Sequence, residues 1–221
     1  IGNIFISDFT IGNTESKGIH LLGGVQGVWI STGKVTARQD GGSPVAASVG
    51  MQLDYCNGVY LDGLDLLLNG RGMLVTPSAG ETVHWVFGNK VILDTNLGAG
   101  LDINPQGGTV NGFDFGTCWA SSNGEIGVKI RGSSASVVDG VKINMRILNN
   151  GLQGIRLLGG PTTFKNIQIE GGAVLSNNQT QASVSGIQVD GGIGGFTIQG
   201  VTVGASDLFT NYQTNGIRVF A

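Results

Sequence analysis

Three acidic residues are the candidates for acid–base chemistry in this sequence. Asp62 and Asp114 form the first-choice pair, and Glu170 is the third candidate. Two carboxyl groups can hydrolyse a glycosidic bond when one protonates the leaving oxygen and the other activates water or attacks the sugar. Groups about 6.5 to 9.5 Å apart invert the anomeric carbon, and groups about 5 to 5.5 Å apart retain it. The chain has 15 acidic residues, so a surface also presents such pairs by accident.

Aromatic residues form a second candidate set, for binding a substrate. Trp29, Tyr60 and Trp85, preceded by Phe5, fall at outward positions of a repeated strand pattern. Aromatic faces stack on the apolar faces of sugar rings, so this row could follow a linear glycan. The row also suits a seam between chains, where Trp and Tyr are enriched, or a face covered by a loop of the same chain. His84 falls on an inward position in this alignment, and a shifted register would turn Trp85 inward.

Basic residues on another outward row are further candidates for substrate binding. Lys129 and Arg156 stand at equivalent positions of consecutive repeats, and Arg131 lies at the far end of the first of these strands. Their charges could meet the carboxylates of an acidic polysaccharide. The alternative is a solvated face of mixed sign, because Asp102 occupies the same row. Opposite charges on such a face pair for only about 0.5 kcal/mol each.

Other chemistries find little support in the sequence. His20 and His84 are far apart in the repeat order, so we predict no metal site and no cofactor. The 12 basic residues against 15 acidic ones disfavour nucleic acid as a partner. No run of about 18 apolar residues occurs, so no membrane insertion is expected. Cys56 and Cys118 are interpreted as two separate reduced thiols.

A repeat must position all of these side chains. Its pattern is Gly, then an aliphatic residue or Met, any residue, and a second aliphatic residue. Eight copies occur at spacings of 22 to 32 residues, beginning at Gly18, Gly50, Gly72, Gly100, Gly127, Gly154, Gly186 and Gly216. Between the copies apolar residues alternate, as in Val28, Ile30 and Val35, which indicates a strand with one buried face.

Asparagine marks one corner of the repeat. Four asparagines recur every 27 residues, at Asn96, Asn123, Asn150 and Asn177. Asn tolerates the left-handed conformation that a tight turn needs. Stacked asparagines can also hydrogen-bond along a ladder, so the spacing predicts that successive copies lie directly on one another.

Composition and repeat together predict the fold. Gly accounts for 40 of 221 residues and charged residues for 12%, against ordinary shares of about 7% and about 25%. These values disfavour helical bundles and, with 40% hydrophobic residues, disorder. Copies that lack a helix-length segment can bury their apolar faces only by stacking. We therefore predict an all-β fold, a right-handed, single-stranded parallel β-helix of about eight coils. A β-sandwich or up-and-down barrel is the competing fold.

The chain is expected to form one domain over residues 1–221. The longest insertions, 38–48 and 176–185, are predicted to be surface loops. Strand patterns run up to both termini, and a β-helix needs caps over its open ends. We therefore expect the chain to be a fragment of a longer protein.

The repeated Gly-Ile-Arg-Leu and Gly-Ile-Gln-Val segments and the asparagine corner carry a family resemblance. The whole chain resembles right-handed parallel β-helix proteins of the pectate-lyase-like superfamily, and within it most resembles the β-helix of a bacteriophage tailspike or tail-fibre depolymerase. This resemblance implies a homotrimer on a virion tail or otherwise outside the cell, with a bacterial surface polysaccharide as partner. No local catalytic signature of pectate lyases or polygalacturonases occurs, and fold alone does not determine activity.

Three functions therefore stay open at this level. The first is a tailspike-type β-helix that binds a surface polysaccharide, with or without hydrolysis between two carboxylates. The second is a non-catalytic shaft of a tail fibre or an adhesin stalk. The third is a polysaccharide lyase, which would need a Lys, Arg or Tyr base and an acidic glycan.

Overall fold

Short strands separated by bends make up the chain. The structure is a computed structural model that describes residues 3–160, 162–180, 184–208, 210 and 212–220. The strands are β1 (Ile4–Thr14), β2 (Lys17–Leu21), β3 (Val25–Ala37), β4 (Gln39–Asp40), β5 (Ser43–Pro44), β6 (Val49–Leu53), β7 (Cys56–Leu67), β8 (Arg71–Val75), β9 (Thr82–Asn89), β10 (Ile92–Asp94), β11 (Leu101–Ile103), β12 (Thr109–Ser121), β13 (Val128–Ile130), β14 (Val137–Leu148), β15 (Ile155–Leu157), β16 (Thr163–Glu170), β17 (Ala173–Leu175), β18 (Ser185–Val189), β19 (Phe196–Gln199), β20 (Thr202–Gly204) and β21 (Asn215–Val219).

Two parallel sheets form the walls of a solenoid. One has eight strands in the order β2-β6-β8-β11-β13-β15-β18-β21, one from each coil, and the other has eleven strands and begins β1-β3-β7. In the described part of the chain the only antiparallel strand pair is β4 with β5, inside the insertion at 38–48. The predicted all-β parallel solenoid of about eight turns is therefore confirmed, and the hairpin-built sandwich or barrel is excluded.

The core is a stack of in-register apolar columns. One column of the larger sheet runs through paired positions of successive coils and is filled by Ile4, Val28, Val59, Val86, Phe113, Val141, Ile167 and Phe196. Its central members, from Val28 to Ile167, are buried. Strands lie about 4.8 Å apart, so each coil covers the apolar residues of the coil before it.

The asparagine corner is a buried hydrogen-bonded ladder, as predicted. Asn96 Nδ2 donates to Asn123 Oδ1 at 2.9 Å, and Asn123 Nδ2 donates to Asn150 Oδ1 at 2.8 Å. Asn150 continues the ladder to Asn177 at 2.8 Å. Asn69 is a further member outside the predicted set; it lies 27 residues before Asn96, and its backbone N–H donates to Asn96 Oδ1 at 3.0 Å.

The left-handed residue at this corner is the one before each ladder asparagine. These residues have φ angles of 46° to 55° and are Leu68, Thr95, Ser122, Asn149 and Ser176. The expectation that the ladder asparagines themselves supply the left-handed turn is therefore wrong. Their side chains satisfy buried backbone groups instead; Asn123 Nδ2, for example, also donates to the Leu93 carbonyl at 3.0 Å.

The ladder explains why the five repeats that border it open with glycine. A Cβ on Gly100 would lie 2.8 Å from Asn123 Nδ2 and 2.8 Å from the Gly127 carbonyl oxygen of the next coil. Gly127 meets the same obstacle, with Asn150 Nδ2 at 2.8 Å. The glycine and asparagine periodicities are thus one packing contact seen from its two sides.

The insertion at 38–48 is mostly exposed, as predicted for a surface loop, whereas residues 176–178 of the second insertion are buried, contrary to that prediction. Cys56 and Cys118 are free and buried, as interpreted from the sequence. Of the second insertion, residues 181–183 lie outside the described residues. Among those that are described, no helix is long and apolar enough to cross a membrane.

Candidate functional site

Four aromatic rings stack along the outer face of the larger sheet. Phe5, Trp29, Tyr60 and Phe87 occupy paired positions of four successive coils. Their ring centroids lie 5.0, 4.9 and 5.3 Å apart, with interplanar angles of 20°, 11° and 17°. We call these four residues the aromatic stack.

The strand spacing creates the stack and keeps it open. Parallel in-register pairing places equivalent side chains about 4.8 Å apart, which matches the centroid distances. Ring contact itself needs only about 3.5 to 4.0 Å, so near-parallel rings at this spacing are displaced sideways and part of each ring stays uncovered. Phe5 is 71% exposed, and Tyr60 and Phe87 are each 40% exposed. No described segment of the chain covers the stack, so coverage by an intrachain loop is excluded there.

Trp85 lies outside the stack, contrary to the expected register. The pairs Asn57–His84 and Val59–Val86 place Trp85 opposite Gly58, two positions before the stacking residue of its coil. Phe87 takes the fourth place instead. Trp85 is nevertheless 51% exposed, so the suspected inward rotation does not occur.

The register error has a physical cause. Most coils carry glycine with positive φ at the bend two residues before the stacking position, as at Gly27, Gly58 and Gly112. Trp85 fills this bend with φ of 53°. The glycine that would have aligned the coil is therefore missing from the sequence. The stretch Val86–Phe87, which matches Val28–Trp29 and Val59–Tyr60, is the feature of the sequence that indicates the correct register of this coil.

A groove of about 650 Å³ runs beside the aromatic stack. Its polar lining includes Ser31, Asp62, Asn89, Asp114 and Thr117. Thr117 Oγ1 donates to Asn89 Oδ1 at 2.5 Å, and Asn89 Nδ2 donates to Asp62 Oδ1 at 2.7 Å. Apolar ring surface and hydrogen-bonding groups thus share one concave surface, which is the arrangement of a small-molecule or glycan site. We call it the aromatic groove.

The structure brings two of the three candidate carboxylates to this groove. Asp62 lies one coil before Phe87, on the neighbouring row, because it pairs with Asn89. Asp114 lies one coil after Phe87 and pairs with it directly. Two strand spacings along the axis and a two-residue offset along the strand separate their backbones by about 12 Å, which is nearer to the inverting range than to the retaining one. Within the described chain, Asp114 has no hydrogen-bond or ion-pair partner.

Glu170 lies outside the groove lining. Lys142 is the next residue after Asp114 in the same outward row. Its Nζ lies 2.7 Å from Glu170 Oε1. The hydrogen bond to Glu170 is the main cause that raises the pKa of Lys142. Glu170 is thus engaged in an ion pair two coils beyond Asp114.

The basic candidates lie on the other sheet and are largely paired. Arg156 contacts Asp190 Oδ2 through Nε at 3.1 Å and through a terminal nitrogen at 3.0 Å. Arg131 holds the buried Asp102 through two hydrogen bonds of 3.2 and 2.9 Å. Lys129 is directly beside Arg156, and burial, followed by the charge of Arg131, lowers its pKa. This face is a ladder of mixed charges, and the structure does not bring Lys129 or Arg156 to the aromatic groove.

Comparison with known proteins assigns the chain to no family. The chain matches no protein-family model, no curated protein and no solved structure. The parallel solenoid is established by its strand pairing, and the likeness to tailspikes rests on the repeat pattern alone. In the described ranges no group of three or more His, Cys, Asp or Glu side chains is placed to hold a metal ion.

Proposed function

We propose that the aromatic groove binds a linear glycan of a bacterial surface. The observation that supports this most directly is the aromatic stack itself, four rings in register, three of them exposed and Trp29 half-buried, beside a row of hydroxyl, amide and carboxylate groups. Exposed contiguous aromatic surface is uncommon on a soluble protein and marks a binding surface. A sugar chain presents apolar ring faces and hydroxyl groups in alternation, which suits both halves of this lining.

The end of the stack is the best-defined part of the groove. Among the described residues no aromatic ring stacks on Phe87 from the side of Asp114. Gly116, in the row of Asp62 and in the coil of Asp114, leaves open space where another residue would carry a side chain. The Asp114 side chain follows Phe87 in the same row, so a sugar ring would lie over the exposed part of the Phe87 ring and the open space at Gly116, close to both carboxylates.

Hydrolysis of the bound glycan is a second candidate function, favoured by those carboxylates. Asp62 and Asp114 flank Phe87 from the coils before and after it. Their axial spacing of about 10 Å is too wide for a retaining pair, so the proposed mechanism is an inverting one. One carboxyl group protonates the leaving oxygen, and the other activates a water molecule on the opposite face of the sugar.

The same surface is a less suitable seam between chains. A protein partner packed on the stack would remove Asp62 and Asp114 from water, and burying an unpaired charge is costly. A homotrimer on a virion tail, or otherwise outside the cell, belongs to the tailspike proposal and would form through other surfaces. The non-catalytic shaft would need no exposed stack at all.

A matched pair of tyrosines tests the binding proposal. Tyr60 in the stack and Tyr55 outside the groove are 40% and 42% exposed. Binding to an array of bacterial surface polysaccharides is measured for the wild type, Tyr60→Ala and Tyr55→Ala. The oligomeric state of each protein is measured by sedimentation. We expect Tyr60→Ala alone to weaken binding by about tenfold, which corresponds to about 1.4 kcal/mol. Loss of an oligomer in Tyr60→Ala without any glycan binding by the wild type would contradict the proposal and identify the stack as a seam.

A further inference from the structure

The charged groups of the aromatic groove all have the same sign. Asp62 and Asp114 are the only charged side chains in the described lining. The cation next along the row, Lys142, is held 2.7 Å from Glu170. Lys90 follows Asn89 at an exposed bend and does not line the groove. The groove is therefore a local concentration of negative charge on a chain whose net charge is only −3.

The aromatic rings, like the carboxylates, attract positively charged groups. The face of an aromatic ring carries partial negative charge and attracts cations, most strongly on Trp and then on Tyr and Phe. Trp29 and Tyr60 stand in the middle of the stack, and Phe87 stands beside Asp114. A ligand that stacks on these rings thus meets ring faces and carboxylates that both favour positive charge.

We infer that the aromatic groove selects glycans that carry free amino groups and rejects glycans that carry carboxylate, sulfate or phosphate groups. This inference rests on the proposed glycan binding and adds the class of glycan. An ammonium group can sit over a ring of the stack or pair with Asp62 or Asp114, whereas an anionic group meets repulsion from both carboxylates, with no cation among the described lining residues to offset it. The same charge distribution disfavours a polysaccharide lyase, whose usual substrates are acidic glycans.

Three hexasaccharides with a common β-1,4 backbone test the inference. They are the chitosan hexamer with protonated amines, neutral cellohexaose, and cellohexaose oxidised to carboxylates at every C6. Affinities are measured by titration calorimetry at low and high salt. We expect affinity to decrease from the chitosan hexamer to cellohexaose to oxidised cellohexaose. The affinities for the first and the last should differ at least tenfold, and this difference should become smaller at high salt.

Two double variants separate groove charge from overall charge. The double variant Asp62→Asn, Asp114→Asn should bind the chitosan hexamer less than about threefold more tightly than it binds oxidised cellohexaose. Asp40→Asn with Asp207→Asn removes the same charge at exposed positions outside the groove and should leave the ratio of these two affinities intact. Equal effects of the two double variants would overturn the inference, because attraction to the whole chain would then explain the order.

The outcomes also distinguish this inference from the proposed function. Binding of oxidised cellohexaose as tightly as the chitosan hexamer contradicts the charge selection alone. Binding of the chitosan hexamer that is unchanged in Tyr60→Ala contradicts it too, since the rings would then take no part. Failure of all three hexasaccharides and of every polysaccharide on the array contradicts glycan binding itself.

Discussion

Phe87 and Asp114 occupy directly paired positions on adjacent coils, so the last ring of the aromatic stack lies beside the first carboxylate of the row. This relationship joins the binding half of the groove to its acidic half. A sugar ring placed on Phe87 would be within reach of Asp114 and, from the coil before, of Asp62.

The first prediction concerns that end ring. Phe87→Ala should weaken glycan binding by about tenfold, because the exposed ring surface next to the two carboxylates is lost. Phe87→Tyr keeps a ring of the same shape and should retain most of the affinity. Phe87 is exposed, so both variants should melt within a few degrees of the wild type. Unchanged affinity in Phe87→Ala would contradict the placement of a sugar at this position.

The second prediction concerns hydrolysis. Asp62→Asn and Asp114→Asn should each lower the rate of glycan cleavage by about 100-fold or more, because each removes one partner of the acid–base pair. Nuclear magnetic resonance of the first product formed should show an inverted anomeric carbon. Asp65→Asn, in the same coil as Asp62 but outside the groove, is the matched control and should cleave normally. Activity lost in Glu170→Gln instead of Asp62→Asn would show that the pair had been assigned wrongly.

The sequence predicted the fold because the same physical constraint acts in successive coils. A Cβ on Gly100 would strike Asn123, and equivalent glycines and asparagines repeat along the chain because that contact exists only between stacked coils. The site was predicted less completely. Asp62, Asp114, Trp29 and Tyr60 were placed on one face because strand alternation determines which side chains point outward.

The errors arose where one coil departs from the repeat. Trp85 replaces the bend glycine, so alternation counted through this coil shifts by two positions and exchanges Phe87 for Trp85. The ion pair of Arg156 with Asp190 was also beyond the sequence argument, because partners one coil apart and two residues out of register depend on side-chain conformation. Periodicity predicts the row of a residue but not its partner.

The third prediction concerns the buried ladder. Asn123→Ala should lower the free energy of unfolding by about 2 to 4 kcal/mol, because it removes the acceptor of the Asn96 backbone N–H and the side-chain donor to the Leu93 carbonyl and to Asn150 Oδ1 in the interior. Asn111→Ala, on a part-exposed position of the neighbouring strand β12, should cost less than about 1 kcal/mol. Urea unfolding of both variants measures the difference. Similar losses in the two would contradict a structural role for the ladder.

The fourth prediction concerns the two thiols. Burial is the main cause that raises the pKa of Cys56 to about 12 and that of Cys118 to about 11. The native protein should therefore react with a thiol reagent at pH 8 far more slowly than the unfolded protein, in which two thiols should titrate. In the unfolded chain the thiols lose their protons from about pH 8.5 upward. Their contribution to stability is thus complete below that pH and declines as pH rises toward 11 to 12. Rapid labelling of either cysteine under native conditions would contradict the buried environment.

The fifth prediction concerns Trp85, which combines a positive φ of 53° with an exposed side chain. A bulky residue in this conformation costs roughly 1 to 2 kcal/mol relative to glycine, which adopts it freely. Both variants lose the contact with His84, whose ring centroid lies 4.2 Å away, but Trp85→Gly restores the residue found at this bend in neighbouring coils and Trp85→Ala keeps the strain. We therefore expect Trp85→Gly to be more stable than Trp85→Ala by about 1 kcal/mol in urea unfolding.

Both variants should bind glycan as the wild type does, because Trp85 does not line the aromatic groove. A loss of binding in both would show that the binding surface extends past the groove to Trp85, and a reversed order of stability would contradict the strained bend.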